Sequence, residues 1–190
     1  EKAEYSLRSL GIDAKGYSKA VAFDNDNWGD RYLQKTIGLK SEEEFIRNYG
    51  YELFFWKIRF FKQFQKEEYI IKISPTTGEV ISFEHRIEDI APRETLNKDI
   101  AKSNAQEFLR KTFGVNFDEF DFHEEKIKRY DKRTDYSFSW EKKGIYIPWE
   151  KNEGGAKLLV GATVSGNEIS QFYKNKLDVP EKFYRYIEKQ

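Results

Sequence analysis

The sequence predicts an α+β fold built of two similar units, each a helix packed on an antiparallel β-sheet. Three observations carry this. Large apolar residues alternate with period two in consecutive runs between residues 52 and 87, and again between 134 and 174. A hairpin is written twice: "EYIIKISPTTGEVISFEHRI" (68–87) matches "KLLVGATVSGNEISQFYKNK" (157–176) with one residue deleted in the turn, so that Gly78 falls on Gly166, Ile81 on Ile169 and Ser82 on Ser170. Each hairpin follows a helical stretch and an aromatic-rich strand. A repeat near half the chain length is too long for a solenoid and reads as two units.

The elements follow in order. Ala3, Leu7 and Leu10 recur at helical spacing before Gly11, which predicts a helix over 1–11. "KAVAFDND" (19–26) reads as a strand entering an Asx-rich loop. "DRYLQKTIG" and "SEEEFIRNYG" read as short helices ending at Gly38 and Gly50, the second capped by Ser41 with Glu44 three residues on. Strands come next. Phe54, Trp56, Ile58 and Phe60 share one face, as do Tyr69, Ile71 and Ile73, and then Ile81, Phe83, His85 and Ile87. Pro75 and Gly78 supply the turn between the last two. "EDIAPRETL" (88–96) is a linker. Residues 97–113 form the best helix, with Ala101, Ala105, Phe108, Leu109 and Thr112 on one stripe, Asn97 as cap and Gly114 as stop. Four strands follow, including one with Tyr136, Phe138 and Trp140 on its core face. Pro180 opens a terminal helix whose apolar stripe is Phe183 and Ile187. The units are residues 1–93, with a helical insertion, and 94–190, with the C-terminal helix. Their sheets are expected to be separate.

Composition narrows the function. The chain has 190 residues, 33 of them basic and 33 acidic, so the formal net charge is zero and the excess of Lys and Arg that phosphate binding needs is missing. Nucleic acid is therefore not an expected partner. Hydrophobic residues make up only 38%, but 17% of the chain is aromatic, and large rings can build a core at that count. No apolar run is long enough to span a membrane. Cys and Met are both absent, which excludes disulfides and thiolate chemistry. A chain that starts at Glu1 without Met reads as a piece of a longer protein.

Motifs for chemistry are few. HExxH, GxSxG, GxGxxG and the P-loop are absent from the sequence. His85 and His123 are the two histidines; neighbouring strand residues point to opposite faces, so neither "EH" nor "HEE" can chelate alone, and structural roles are expected for both. "FDNDNWGD" (23–30) has Asp24, Asp26 and Asp30, but the twelfth position of a calcium loop starting at Asp24 is Lys35, so a helix-capping cluster is expected. No catalytic residue, metal site or cofactor is assigned. The basic run "KIKRYDKR" (126–133) reads as a solvated hairpin. One strand stands apart. Behind its core face, Phe55, Lys57, Arg59 and Phe61 alternate cations with aromatics, a pattern that contacts either a partner or another part of the chain. Together with Gln65, Lys66, Glu67 and Glu68 at the next hairpin base, these are the candidate partner-binding residues.

"ISPTTGEVISF", with Thr77, Gly78, Glu79 and Val80, resembles the hairpin of PepSY domains, although Ser74 stands where Asp is common. A resemblance over most of the chain is to the extracytoplasmic region of bacterial CPBP-family membrane proteins, of CAAX protease and bacteriocin-processing type. It rests on Arg59–Phe61, Gln65–Glu68, Arg133–Asp135, Phe138, Trp140 and Glu141, and departs at Gln63, where Pro is usual, and at Tyr136, where His is usual. The resemblance implies two tandem PepSY-like (cystatin-like) units on the extracytoplasmic side of a bacterial membrane. They would regulate, or present substrate to, a metalloprotease site elsewhere in the parent chain. The partner would be that membrane domain or a peptide or protein substrate. The fragment itself would not be an enzyme, since the family's paired glutamates and histidines have no counterpart here. The alternatives are a freestanding propeptide-like inhibitory or peptide-binding module, and a soluble hydrolase with a carboxylate site.

Overall fold

The computed structural model describes residues 2–9, 11–150 and 154–189; Leu10 of the expected helical stripe and residues 151–153 of the "KNEGGAK" turn lie outside the described residues. In chain order the elements are α1 (Lys2–Ser9), β1 (Ser18–Asn25), α2 (Asn27–Thr36), α3 (Leu39–Tyr49), β2 (Phe54–Phe61), β3 (Glu68–Ile73), β4 (Val80–Arg86), α4 (Lys98–Phe113), β5 (Phe120–Tyr130), β6 (Arg133–Pro148), β7 (Gly155–Ser165), β8 (Glu168–Asp178) and α5 (Glu181–Glu188). Each half runs helix then four strands, with α2 and α3 inserted between β1 and β2.

The expectation of two separate sheets is overturned. All eight strands form one antiparallel sheet in the order β1-β2-β3-β4-β8-β7-β6-β5. β4 and β8 would each have been an exposed edge, and pairing them removes both edges at once. The pairing is symmetric. Phe83 lies opposite Phe172, with Ser82 opposite Tyr173 and Glu84 opposite Gln171. Both hairpins carry a β-bulge, seen where Ile73–Val80 follows Lys72–Ser82 and where Val164–Ile169 follows Thr163–Gln171. The bulges equate Val80 with Ile169 and Phe83 with Phe172. The sequence alignment, which put Ile81 on Ile169, is therefore one residue out. The bulge also turns Ile81 away from the face of Phe83 and His85, and it lines a cavity on the other side.

Helices α1 and α4 lie on one face. Ala3 and Leu7 of α1 join Ile58, Phe60 and Ile71, while Ala101, Ala105 and Leu109 of α4 join Phe138, Trp140, Val160 and Phe172 in the same core. The small alanines let α4 approach the sheet closely, and Leu109 and Phe108 then fill the gap; Thr112 of the expected stripe is exposed. Asn97 caps α4 by accepting from the Asp99 N–H at 2.9 Å, and Gly114 ends it in the left-handed conformation. The four predicted core residues of β2 divide. Ile58 and Phe60 are buried, but Phe54 and Trp56, which have the right parity, are 48% and 44% exposed because α1 does not reach them.

A second core joins α2, α3 and α5 to the far ends of β6, β7 and β8, through Tyr32, Leu33, Phe45, Trp149, Leu158 and Phe183 among others. The Tyr32 hydroxyl donates to the Ile147 carbonyl at 2.6 Å and accepts from the Ala156 N–H at 3.1 Å, which locks the strand ends beside the irregular stretch of β6. Asp26 caps α2 by accepting from the Gly29 N–H, as the Asx cluster predicts. The Ser41 cap is a correction: α3 starts at Leu39 after Gly38, whose φ of 79° suits glycine and which makes no side-chain cap, so Ser41 sits inside the first turn.

Candidate functional site

Side chains alternate along a strand, so the partners of the Phe55–Phe61 stripe share the face opposite α1 and α4. The register puts Lys72 opposite Lys57, Ile70 opposite Arg59 and Glu68 opposite Phe61, then Arg86, Glu84 and Ser82 on β4, and Gln171 and Tyr173 on β8. Thr163 and Gly161 on β7 and Ser137 and Ser139 on β6 continue it. A Cβ at Gly161 would collide with the Tyr173 ring, so glycine is what lets that ring lie against the sheet.

Two cavities of about 400 and 440 Å³ open on this face. The first is lined by Phe55, Lys72, Tyr51, Tyr173 and Lys176, the second by Lys128, Tyr130, Arg133, Asp135 and Ser137. Glu84 and Gln171 line both, so the two lie side by side across the β4–β8 seam as a polar trough with these two residues at its middle. The Lys72 ammonium sits 4.1 Å from the centroid of the buried Phe55 ring. Burial holds its pKa below the usual lysine value, and among the described residues no carboxylate forms an ion pair with it.

The predicted residues separate. Phe55 is buried under Lys72, and Lys57 pairs with Asp24 at 3.7 Å. Arg59 stacks 4.8 Å from the Phe61 ring and donates to Glu68, which also accepts from Arg86 at 2.6 Å; Arg86 reaches on to Glu84 at 2.8 Å. Glu68 is only 4% exposed, and two guanidinium groups satisfy its charge. Gln65 and Lys66 are exposed in the β2–β3 loop beside Phe64. Glu67 points to the opposite face, onto His85. The stretch 65–68 is therefore not one patch.

Sequence reasoning missed Lys72, Arg133 and Gln171. The basic run predicts a solvated Arg133, but it is 3% exposed; it donates to Asp135 at 3.0 Å and to the Glu88 and Ala91 carbonyls at 2.5 and 3.1 Å, under a Tyr130 ring at 4.1 Å. The "RTD" spacing was a usable signal, since i and i+2 on a strand share a face.

His85 and His123 both face carboxylates, His123 through Glu141 at 2.8 Å. Among the described residues no group of three His, Asp or Glu side chains is placed to hold a metal ion. Zinc or calcium is therefore expected to leave the melting temperature unchanged. A metal at a hundred times its dissociation constant adds about 2.7 kcal/mol, so an upward shift at sub-millimolar metal would overturn this. Among the described residues no helix is long and apolar enough to cross a membrane.

No protein-family model and no curated protein sequence matches the chain. Among solved structures it is similar to the Bacillus megaterium YpeB C-terminal domain, with a TM-score of 0.49 and 13% identity over 95% of this chain and 67% of that one.

Proposed function

We propose that the chain is a non-catalytic binding module of two tandem PepSY-like units, and that it holds an extended stretch of a partner polypeptide in the trough on the helix-free face. The observation that carries this is that the two cavities adjoin on one sheet face and share Glu84 and Gln171 as lining. A trough crossing several strands suits a chain lying across the sheet. Cations at Lys72 and Lys128, the acid of Glu84, the amide of Gln171 and rings at Tyr130 and Tyr173 offer mixed contacts along it. The symmetric pairing about Phe83 and Phe172 supports the tandem units. The non-catalytic reading rests on the sequence, in which no catalytic motif occurs. Extracytoplasmic regulation of, or substrate presentation to, a membrane-embedded CAAX-type metalloprotease is the finer form of the proposal. The parent reading frame tests it, since hydrophobic helices must then flank this piece.

The binding test is selection from a random peptide library, with Gln171→Trp as the blocked variant because that side chain stands where the cavities meet. Peptides enriched on the native protein are expected to lose binding to the folded variant. Equal capture by both would overturn the reading. Charge changes on the same face separate binding from folding. Lys57→Glu is expected to alter stability by less than about 0.5 kcal/mol. Arg59→Glu brings a second carboxylate onto buried Glu68 and is expected to cost about 1–3 kcal/mol. Equal urea midpoints for the two variants would show that Glu68 does not depend on Arg59.

A further inference from the structure

A larger cavity, of about 630 Å³, lies on the helix-bearing face where the two halves meet. Its floor is Tyr69, Phe83 and His85, and its walls are the loop Gly11–Asp13 after α1, Phe108 of α4 and Ile169 of β8. The volume is in the range of small-ligand sites.

Its polar wall is unusual. The His85 ring is stacked 4.4 Å from Tyr69, and its side chain is only 8% exposed. Nε2 meets Glu67 Oε1 at 2.6 Å, and Nδ1 meets Glu168 Oε1 at 2.9 Å. Each ring nitrogen of His85 thus faces a carboxylate oxygen, one from each half of the chain. The hydrogen bond from His85 keeps the Glu168 carboxyl below its usual pKa against the opposing effect of burial, and Arg93, 3.6 Å away, adds to it. Three acids, Asp13, Glu67 and Glu168, line the cavity with a single guanidinium, Arg93, and the His85 imidazole. Carboxylates therefore outnumber permanent cations in the lining. The second oxygen of Glu67 has no partner among the described residues, and Glu67 remains 38% exposed.

We propose that this cavity binds an organic cation with an apolar body: an ammonium or guanidinium head placed against Glu67 and Asp13, with its hydrocarbon part against Tyr69, Phe108 and Ile169. An anionic head would meet the surplus carboxylate, and a purely apolar molecule would leave Glu67 desolvated without a partner. His85 holds Glu67 and Glu168 in place rather than touching the ligand, which makes it a positioning residue. Since Glu67 and His85 come from the first half and Glu168 and Ile169 from the second, the bound cation bridges the seam. The site is separate from the trough and stands whether or not the trough binds peptide.

The test titrates the intact chain with phenethylamine, with the capped dipeptide acetyl-Leu-Arg-amide, and with 3-phenylpropanoate, following the methyl signals of Ile12 and Ile169 by NMR. The two cations distinguish a free amine from a basic side chain on a polypeptide, and whichever binds more tightly names the source. Glu67→Gln and, separately, Asp13→Arg are each expected to weaken that cation about tenfold, the loss of one charge-assisted contact. Asp13 is exposed in a loop, so its variant folds even where Glu67→Gln perturbs the seam. Binding of 3-phenylpropanoate as tight as that of the cations, or no methyl shift with either cation at millimolar concentration, would overturn the proposal. So would unchanged affinity in Asp13→Arg and Glu67→Gln.

Discussion

Phe172→Ala is expected to lower the unfolding free energy by about 3–5 kcal/mol, the range for large rings truncated in a core. Phe172 is 1% exposed, and its ring meets Phe83 at 5.5 Å and Phe108 and Phe113 at 5.0 Å each. These neighbours belong to β4 and α4, so the space left behind cannot collapse without moving a helix or the seam. The seam is short: β4 meets β8 only through Ser82–Tyr173, Phe83–Phe172 and Glu84–Gln171. Much of its hold therefore comes from the stacked pair above it rather than from backbone pairing. A single transition with a lower urea midpoint and unchanged slope is the expected result. Trp140→Ala, in the interior of the second half with 3% exposure, is the comparison. If Phe172→Ala splits the transition in two while Trp140→Ala does not, the halves are independent once the seam opens. A loss below about 1 kcal/mol would show that the Phe83–Phe172 stack does not consolidate the sheet.

The local pattern of this fold was legible in the sequence, and its closure was not. Period two placed Ile58, Phe60, Phe83, Phe138 and Trp140 on the core side, because alternation is a property of each strand alone. Asn97, Asp26 and Gly114 announced helix ends for the same local reason. What no strand states is its neighbour. Nothing in "ISFEHR" or "ISQFYK" distinguishes an edge strand from one that pairs with the other hairpin, so the pattern predicts two sheets where the fold has one. The exposed rings of Phe54 and Trp56 show the same limit, since their parity was right and their cover was decided by where α1 ends. At the candidate site the sequence found the cation–aromatic stripe of β2. It could not find Lys72 or Gln171, which join that stripe only through register. Arg133 was hidden by its charge, because burial of an arginine depends on partners 42 and 45 residues away.

The pH dependence of stability is expected to turn on Glu42. This glutamate of α3 is 4% exposed, and its Oε1 has no hydrogen-bond partner. Burial first, and then Asp30 of α2 beside it, push its pKa from 4.5 up to about 7. The groups around it are Asp30 and Gln34 on α2, Glu43 on α3, and Tyr51, whose own pKa burial and Asp26 raise. The folded protein thus keeps a proton that the unfolded chain releases above its ordinary pKa. Stability tied to that proton is fully present below about pH 4.5 and is lost as pH rises through about 7. The loss is on the order of 3 kcal/mol. Glu141 and Glu168 have lowered pKa values, so their contribution is present above the ordinary carboxylate value and fails only in acid, outside this window. Glu42→Gln keeps the shape and supplies an N–H donor towards Asp30 where the carboxylic acid offered an O–H. The variant should match the native protein near pH 4.5 and exceed it at pH 8 by most of that 3 kcal/mol, on the order set by the shift. Glu42→Ala is a poorer probe, because it also removes packing between the inserted helices. Urea midpoints measured from pH 4.5 to 8 for the native protein and Glu42→Gln decide the matter: curves that converge in acid and diverge in base are expected, and parallel curves would mean that Glu42 is ionised in the folded state.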